Sequence, residues 1–169
     1  PYMTSSPLAT VLTEYGCPFR CTFCIMSTLG IRYRPVDSVI SELRRLKRLG
    51  VRYIYFSDQT FGSDPKRNNE LLQKMIKNRF DFRWCCFSRV NVMTPDILKL
   101  MKKAGCHTIM FGVESANENL LKMYKKDYTL DQVRRSFDVA KRLGIQRMGT
   151  FLIGLPEEDE SSIMSTIEL

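Results

Sequence analysis

The sequence lacks several features that would point to common function classes. It holds one histidine, His107, and has no nucleophile-elbow motif, so a hydrolase triad has little support. No uninterrupted apolar run approaches the roughly 18 residues that span a bilayer, and no charged start followed by an apolar stretch indicates a signal peptide. We therefore expect a cytoplasmic protein without a membrane span.

Composition favours one globular domain. The 169 residues are 44% apolar and 26% charged, so the chain is long and apolar enough to form a hydrophobic core. The net charge is +8, but the basic residues are spread along the chain, which suits a solvated surface better than a nucleic-acid-binding face. Because the chain starts at Pro1 and ends at Leu169 inside a predicted helix, we expect a piece of a longer protein.

A repeated pattern indicates the fold class. Three amphipathic helices end at Gly50, Gly105 and Gly144, and a β-rich run follows each glycine. The periodicity predicts strands at about 8–13, 51–57, 82–88, 107–113 and 146–153, with helices at about 36–49 and 65–78, from Thr94, from Thr129 and near 160. This alternation implies an α/β fold with a parallel sheet, either doubly wound or a barrel of βα units.

In both folds ligands collect beyond the carboxyl ends of the strands. The segments that follow the five predicted strands are the cysteine loop, "SDQTFGSD", "SRVN", "ESAN" and "GLPEED". Each carries polar groups or a glycine directly after an apolar run, so we expect one site shared by these segments.

The cysteine loop favours a metal centre with an incomplete ligand set. Cys17, Cys21 and Cys24 lie in C-x-x-x-C-x-x-C spacing, and the absence of a secreted cysteine pattern points to a reducing compartment. A structural zinc would need a fourth ligand, and the candidates Cys85, Cys86, Cys106 and His107 are predicted on strands or helix ends. Three thiolates on an iron-sulfur cluster would instead leave one iron open to a substrate or cofactor.

The segment "GCPFRCTFC" resembles the signature loop of the radical S-adenosylmethionine (radical SAM) enzymes. The segments "SDQTF", "AGCHTIMFGVES" and "GTFLIGLPEE" are similar to those of the same family in the same order, most like its subgroup with a cobalamin-binding domain. The resemblance implies a partial (β/α)6 TIM-like barrel, of which residues 1–169 supply about five βα units. It also implies a cobalamin-binding domain ahead of Pro1 and a downstream remainder.

The resemblance implies an enzyme that holds a 4Fe-4S cluster on Cys17, Cys21 and Cys24. Such an enzyme reductively cleaves S-adenosylmethionine to a 5′-deoxyadenosyl radical, which abstracts a hydrogen atom, here in cobalamin-dependent methylation or rearrangement of a small molecule or natural product. The implied electron donor is a flavodoxin or ferredoxin. Two alternatives remain: a tRNA-modifying enzyme similar to the methylthiotransferases, and a non-catalytic metal-binding or electron-transfer module.

The resemblance also implies which residues contact S-adenosylmethionine. They are Phe23, Asp58, Gln59, Ser88, Arg89, Glu114, Leu152 and Gly154. Phe23 matches the aromatic residue beside the adenine. Asp58 and Gln59 stand where many members have Gly-Gly-Glu, so Asp58 is expected to accept from the methionine ammonium, with helix capping as its alternative role.

The remaining contacts follow three strands. Arg89 is expected to pair with the cofactor carboxylate and Glu114 to accept from its ammonium or ribose, unless these two residues pair with each other. Leu152 would supply an apolar wall, and Gly154 would let the adenine approach the backbone. Arg20, inside the cysteine loop, is a candidate to offset the thiolate charge.

Overall fold

The computed structural model describes residues 7–169. Its main feature is a parallel sheet whose strands are arranged in chain order. The strands are β1 (Leu8–Val11), β2 (Glu14–Gly16), β3 (Ile31–Tyr33), β4 (Tyr53–Phe56), β5 (Arg83–Ser88), β6 (Cys106–Glu114) and β7 (Gln146–Phe151). The main sheet has the order β1-β4-β5-β6-β7, and all its pairs are parallel. This sequential order belongs to a barrel segment, since the strand order of a doubly wound sheet reverses. The predicted partial TIM-like barrel of five βα units is confirmed.

Helices follow the strands of the main sheet, and most begin at a residue whose side chain caps the first turn. They are α1 (Val36–Arg48), α2 (Pro65–Lys77), α3 (Pro95–Lys103), α4 (Glu118–Met123), α5 (Leu130–Arg142) and α6 (Glu160–Glu168). The predicted caps Thr94 and Thr129 accept hydrogen bonds from the backbone of the first turn, which satisfies donors that have no partner inside the helix. Within residues 7–169, no helix has the length and apolar character that crossing a membrane requires.

The core lies between one face of the sheet and the helices. Phe56, Phe61 and Trp84 form an aromatic cluster with ring centroids 5.1–5.2 Å apart, and all three side chains are buried. Burying each such side chain stabilises the fold by about 1.5–3 kcal/mol. The indole of Trp84 donates to the carbonyl of Ala104 at 2.8 Å, so its one polar group is paired.

The glycine pattern is confirmed at all three helix ends. Gly50, Gly105 and Gly144 have φ values of 80°, 98° and 65°, the left-handed region that closes a helix. At Gly105 a Cβ atom would also lie 2.1 Å from the carbonyl oxygen of Phe82, so only glycine fits there.

Two parts of the fold differ from the sequence-based expectation. Strands β2 and β3 form an antiparallel hairpin around the cysteine loop, which the periodicity did not predict. The last strand ends at Phe151, whereas we predicted it to about 153. Leu152 and Gly154 therefore lie beyond β7 and not on it.

Candidate functional site

The cysteine loop is folded by its own backbone bonds. Cys17 directly follows β2 and donates its N–H to the carbonyl of Gly30 at 3.0 Å, across the base of the hairpin. The N–H of Cys24 donates to the carbonyl of Cys21 at 3.1 Å, and a 3-10 helix, Ile25–Thr28, follows at once. These turns bring the three thiols to the wall of one pocket.

That pocket has a volume of about 160 Å³ and lies where the main strands end. It is lined by Cys17, Cys21, Phe23, Cys24, Met26, Gln59, Thr60, Phe87, Ser88, Arg89, Gly112, Glu114, Lys126 and Thr150. Apart from Lys126, which follows α4, these residues come from the cysteine loop and from the ends of β4, β5, β6 and β7. The shared site predicted from the strand ends is thus present, except that "GLPEED" contributes nothing to its lining.

The three thiols have different surroundings. Cys21 is buried, and its Sγ accepts a hydrogen bond from Nη1 of Arg89 at 2.9 Å. Cys17 is half-buried, with its Sγ 3.5 Å from the hydroxyl of Thr60. Among residues 7–169, no three His, Cys, Asp or Glu side chains are arranged to hold a single metal ion. All three cysteines nevertheless line one pocket.

Arg89 is buried at the back of the pocket. Its Nη2 donates to the carbonyl of Lys126, its Nε donates to the side-chain oxygen of Asn91 at 3.3 Å, and the ring of Phe19 lies 4.1 Å from the guanidinium carbon. The alternative that Arg89 pairs with Glu114 is wrong, because the contacts of Arg89 are with Cys21 and with neighbouring segments.

A buried ion pair forms another wall of the pocket. Nζ of Lys126 lies 2.8 Å from Oε1 of Glu114, and their side chains are only 4% and 10% exposed. Glu114 has φ 67°, and the β6–β7 register shifts between Gly112 and Glu114, so local backbone geometry sets the direction of its side chain. We did not predict Lys126, because nothing in the sequence distinguishes it from its neighbour Lys125.

Tyr128 lies beside this ion pair, with Nζ of Lys126 5.6 Å from the centroid of its ring. Its hydroxyl donates to the carbonyls of Gly112 and Val113, at 2.5 and 3.2 Å. Burial, and then the nearby carboxylate of Glu114, raise the pKa of Tyr128 well above its usual range. The phenol therefore stays neutral and keeps its proton for these two bonds.

Asp58 lies outside the lining of the pocket, although we predicted it to contact the cofactor. Its Oδ1 accepts from the N–H groups of Thr13 and Glu14 at 2.6 and 3.1 Å, and its Oδ2 accepts from the hydroxyl of Thr13 at 2.7 Å. It does not cap a helix either, since α2 is capped by Asp64. Its carboxylate is used to hold the segment that leads into β2.

Leu152 and Gly154 are also absent from the lining. The N–H of Leu152 donates to the carbonyl of Glu114 at 2.9 Å, and the N–H of the exposed Gly154 donates to Glu158 at 2.6 Å. Phe23, Gln59, Ser88, Arg89 and Glu114 are the predicted cofactor residues that the fold brings to the pocket.

The other three cysteines lie in the sheet. Cys85, Cys86 and Cys106 occupy β5 and β6, and burial raises the pKa of each thiol. A raised pKa disfavours the thiolate, which is the form that binds metals. The pocket is thus lined by three other sulfur donors, a set whose chemistry suits an iron-sulfur cluster with one open iron.

The sequence of the chain matches a family of known proteins. The family model described as the Radical SAM superfamily matches residues 11–169. An uncharacterized methyltransferase of Pyrococcus horikoshii is 37% identical over 166 residues, which cover 96% of this chain and 36% of that protein. The bacteriochlorophyllide d C-12(1)-methyltransferase of Chlorobaculum tepidum is 31% identical over 171 residues, covering 96% and 37%. The chain therefore spans little more than a third of the length of these relatives.

A solved structure has the same fold. The radical S-adenosylmethionine methyltransferase TsrM from Kitasatospora setae, determined with cobalamin and a [4Fe-4S] cluster bound, superposes with a TM-score of 0.88 at 20% identity. The match covers 96% of this chain and 34% of that one.

Proposed function

The chain belongs to the radical SAM superfamily, and on this premise we propose that its pocket holds a 4Fe-4S cluster and S-adenosylmethionine. The observation that carries the proposal is that Cys17, Cys21 and Cys24 line the same pocket as the buried Lys126–Glu114 pair. Sulfur donors for a cluster and fixed charges of both signs for a zwitterionic cofactor are then side by side.

The three cysteines would ligate the cluster as thiolates and leave one iron for the amino and carboxylate groups of the cofactor. When bound, the cluster supplies an electron, and S-adenosylmethionine supplies the sulfonium bond that this electron cleaves. The remaining task of the protein is to orient the cofactor and to exclude water.

Lys126 and Glu114 are suited to orient the cofactor. The ammonium of Lys126 has one carboxylate partner and can donate further hydrogen bonds to the carboxylate of the cofactor. Glu114 can accept from the cofactor ammonium or from ribose hydroxyls, and such charge-assisted bonds are strong in a sheltered pocket. Gln59, Ser88 and the ring of Phe23 complete the proposed cofactor wall, with Phe23 beside the adenine.

For the whole protein we propose cobalamin-dependent methylation of a small molecule, with electrons supplied by a flavodoxin or ferredoxin. The support is the similarity to two methyltransferases and to a fold solved with cobalamin bound. Cobalamin would be held by a domain outside residues 1–169. If the substrate were instead tRNA, binding would weaken steeply with salt, because phosphate contacts release counterions.

Anaerobic reconstitution with iron and sulfide tests the proposal. We expect a brown protein with about four iron atoms per chain that cleaves S-adenosylmethionine to 5′-deoxyadenosine when it is reduced. Cys21→Ala should lose the iron and the cleavage, whereas the matched control Cys85→Ala, in the sheet, should keep both. Full iron loading in Cys21→Ala, or a site completed by four ligands from the chain, would overturn the assignment.

A further inference from the structure

One thiol of the proposed cluster site differs from the other two. Within residues 7–169, Cys21 is the one loop cysteine whose Sγ accepts a hydrogen bond from a charged side chain, Arg89, at 2.9 Å. Cys17 has a neutral hydroxyl near its sulfur, that of Thr60 at 3.5 Å. The contact of Cys21 is also the more deeply buried of the two.

The guanidinium of Arg89 is held in place on every side. Its three nitrogens donate to Asn91, Cys21 and the carbonyl of Lys126, and its carbon lies 4.1 Å from the ring of Phe19. The residue is 4% exposed. Because turning toward another ligand would break these contacts, the donor to Cys21 is fixed before any cluster or cofactor binds.

A position next to Cys21 in the sequence does not by itself produce a hydrogen bond to its thiol, as Arg20 shows. Arg20 lies beside Cys21 in the chain and was the candidate to offset the thiolate charge, but its side chain is exposed. No hydrogen bond or ion pair of Arg20 is present in the part of the chain that the structure describes. The buried cation at the thiol comes instead from the end of β5.

We propose that Arg89 is a positioning residue that raises the reduction potential of the cluster through its hydrogen bond to Cys21, an inference that rests on the proposed cluster site. Reduction adds one electron to the cluster and its thiolates. The hydrogen bond that Arg89 donates to a ligand sulfur stabilises that added negative charge. The effect is large at this position because the pair is shielded from water.

The experiment is a redox titration of the anaerobically reconstituted protein, followed by the electron paramagnetic resonance signal of the reduced cluster. For Arg89→Gln we expect at least a tenfold lower ratio of reduced to oxidised cluster at the wild-type midpoint, which is about 59 mV for a one-electron couple. The matched control, Arg20→Gln, removes the same charge from an exposed position and should keep the wild-type midpoint.

The outcomes separate this inference from the proposed function. A wild-type protein that forms no cluster would refute the proposed function itself. A normal wild-type cluster with equal midpoints in Arg89→Gln and wild type, or with equal shifts in Arg89→Gln and Arg20→Gln, would overturn only the role of Arg89. Should Arg89→Gln fail to fold or to load iron, Arg89→Lys decides, because it keeps the charge but loses the planar fork. A lowered midpoint in that variant supports the proposal, and an unchanged midpoint overturns it.

Discussion

The carboxylate of Asp58 binds Thr13 at both of its oxygens, with 2.6 Å to the backbone N–H and 2.7 Å to the hydroxyl. The two residues are 45 positions apart and follow adjacent parallel strands, β4 and β1. This clamp fixes the point at which the chain leaves the sheet and enters the hairpin that carries the cysteines. The placement of the thiols therefore depends on a residue that does not line the pocket.

The first prediction concerns this clamp. Asp58→Ala leaves the N–H groups of Thr13 and Glu14 buried without their acceptor, and we expect a loss of about 1–3 kcal/mol for each in the free energy of unfolding. Asp58→Asn keeps an acceptor oxygen and should cost less. Urea denaturation measures both variants. An Asp58→Asn protein with normal stability but no affinity for S-adenosylmethionine would show instead that Asp58 contacts the cofactor.

The second prediction is a pH dependence caused by Glu14. This carboxyl is 1% exposed, and burial raises its pKa to about 8, against the opposing hydrogen bond from Ser63. Between pH 4.5 and about 8 the folded state therefore binds more protons than the unfolded state. The contribution of Glu14 makes the free energy of unfolding fall as pH rises through this window and level off above it.

Glu14→Gln keeps the shape of the neutral carboxyl and should remove that fall, so the variant should be more stable than wild type above about pH 8. Thermal unfolding at a series of pH values gives a curve of stability against pH for the variant and for wild type. The difference between these two curves removes the contribution of the other titrating groups. The exposed control Glu168→Gln should follow the wild-type curve. Parallel curves for Glu14→Gln and wild type would mean that Glu14 is ionised in the folded protein at neutral pH.

Much of the fold could be predicted because its signals are local. The helices carry apolar residues at helical spacing, and Gly50, Gly105 and Gly144 mark their ends. The β2–β3 hairpin could not be predicted, since Glu14–Gly16 and Ile31–Tyr33 are too short to show a period of two. Its position comes from bonds to distant residues, among them Asp58.

The residues of the site also differ in how far the sequence alone predicts them. The spacing of Cys17, Cys21 and Cys24 is a local signal that predicted which thiols meet at the pocket. Lys126 has no such signal, because its direction depends on the end of α4 and on the left-handed backbone of Glu114. Arg89 was predicted at the site, but its bond to Cys21 was not, since sequence places a residue at a strand end and does not choose among the acceptors there.

The third prediction tests the base of the cysteine hairpin. Gly16 has φ 83°, and a Cβ atom there would lie 2.0 Å from the carbonyl oxygen of Gly30. Gly16→Ala should push the two strands apart, break the bond from Cys17 to Gly30, and reduce iron loading. Gly30→Ala is the matched control: it pays a similar left-handed backbone cost, about 1–2 kcal/mol, but its Cβ meets no atom within 4 Å. Equal iron loading in the two variants would contradict the steric argument.

The last prediction separates the structural from the binding role of the Glu114–Lys126 pair. Removing one partner of a buried pair leaves an uncompensated charge, so Glu114→Ala should lower the free energy of unfolding by about 3–5 kcal/mol. Glu114→Gln keeps an acceptor for Lys126 but not the negative charge, so we expect a folded, iron-loaded protein with weakened affinity for S-adenosylmethionine. Calorimetric titration of the reconstituted protein measures that affinity, and an iron assay verifies the cluster. Glu157→Gln, an exposed carboxylate outside the pocket lining, is the control and should bind normally. Iron loading depends on the cysteines, whereas affinity for S-adenosylmethionine depends on the ion pair. Wild-type affinity in Glu114→Gln would therefore show that the charge of Glu114 serves only to hold Lys126.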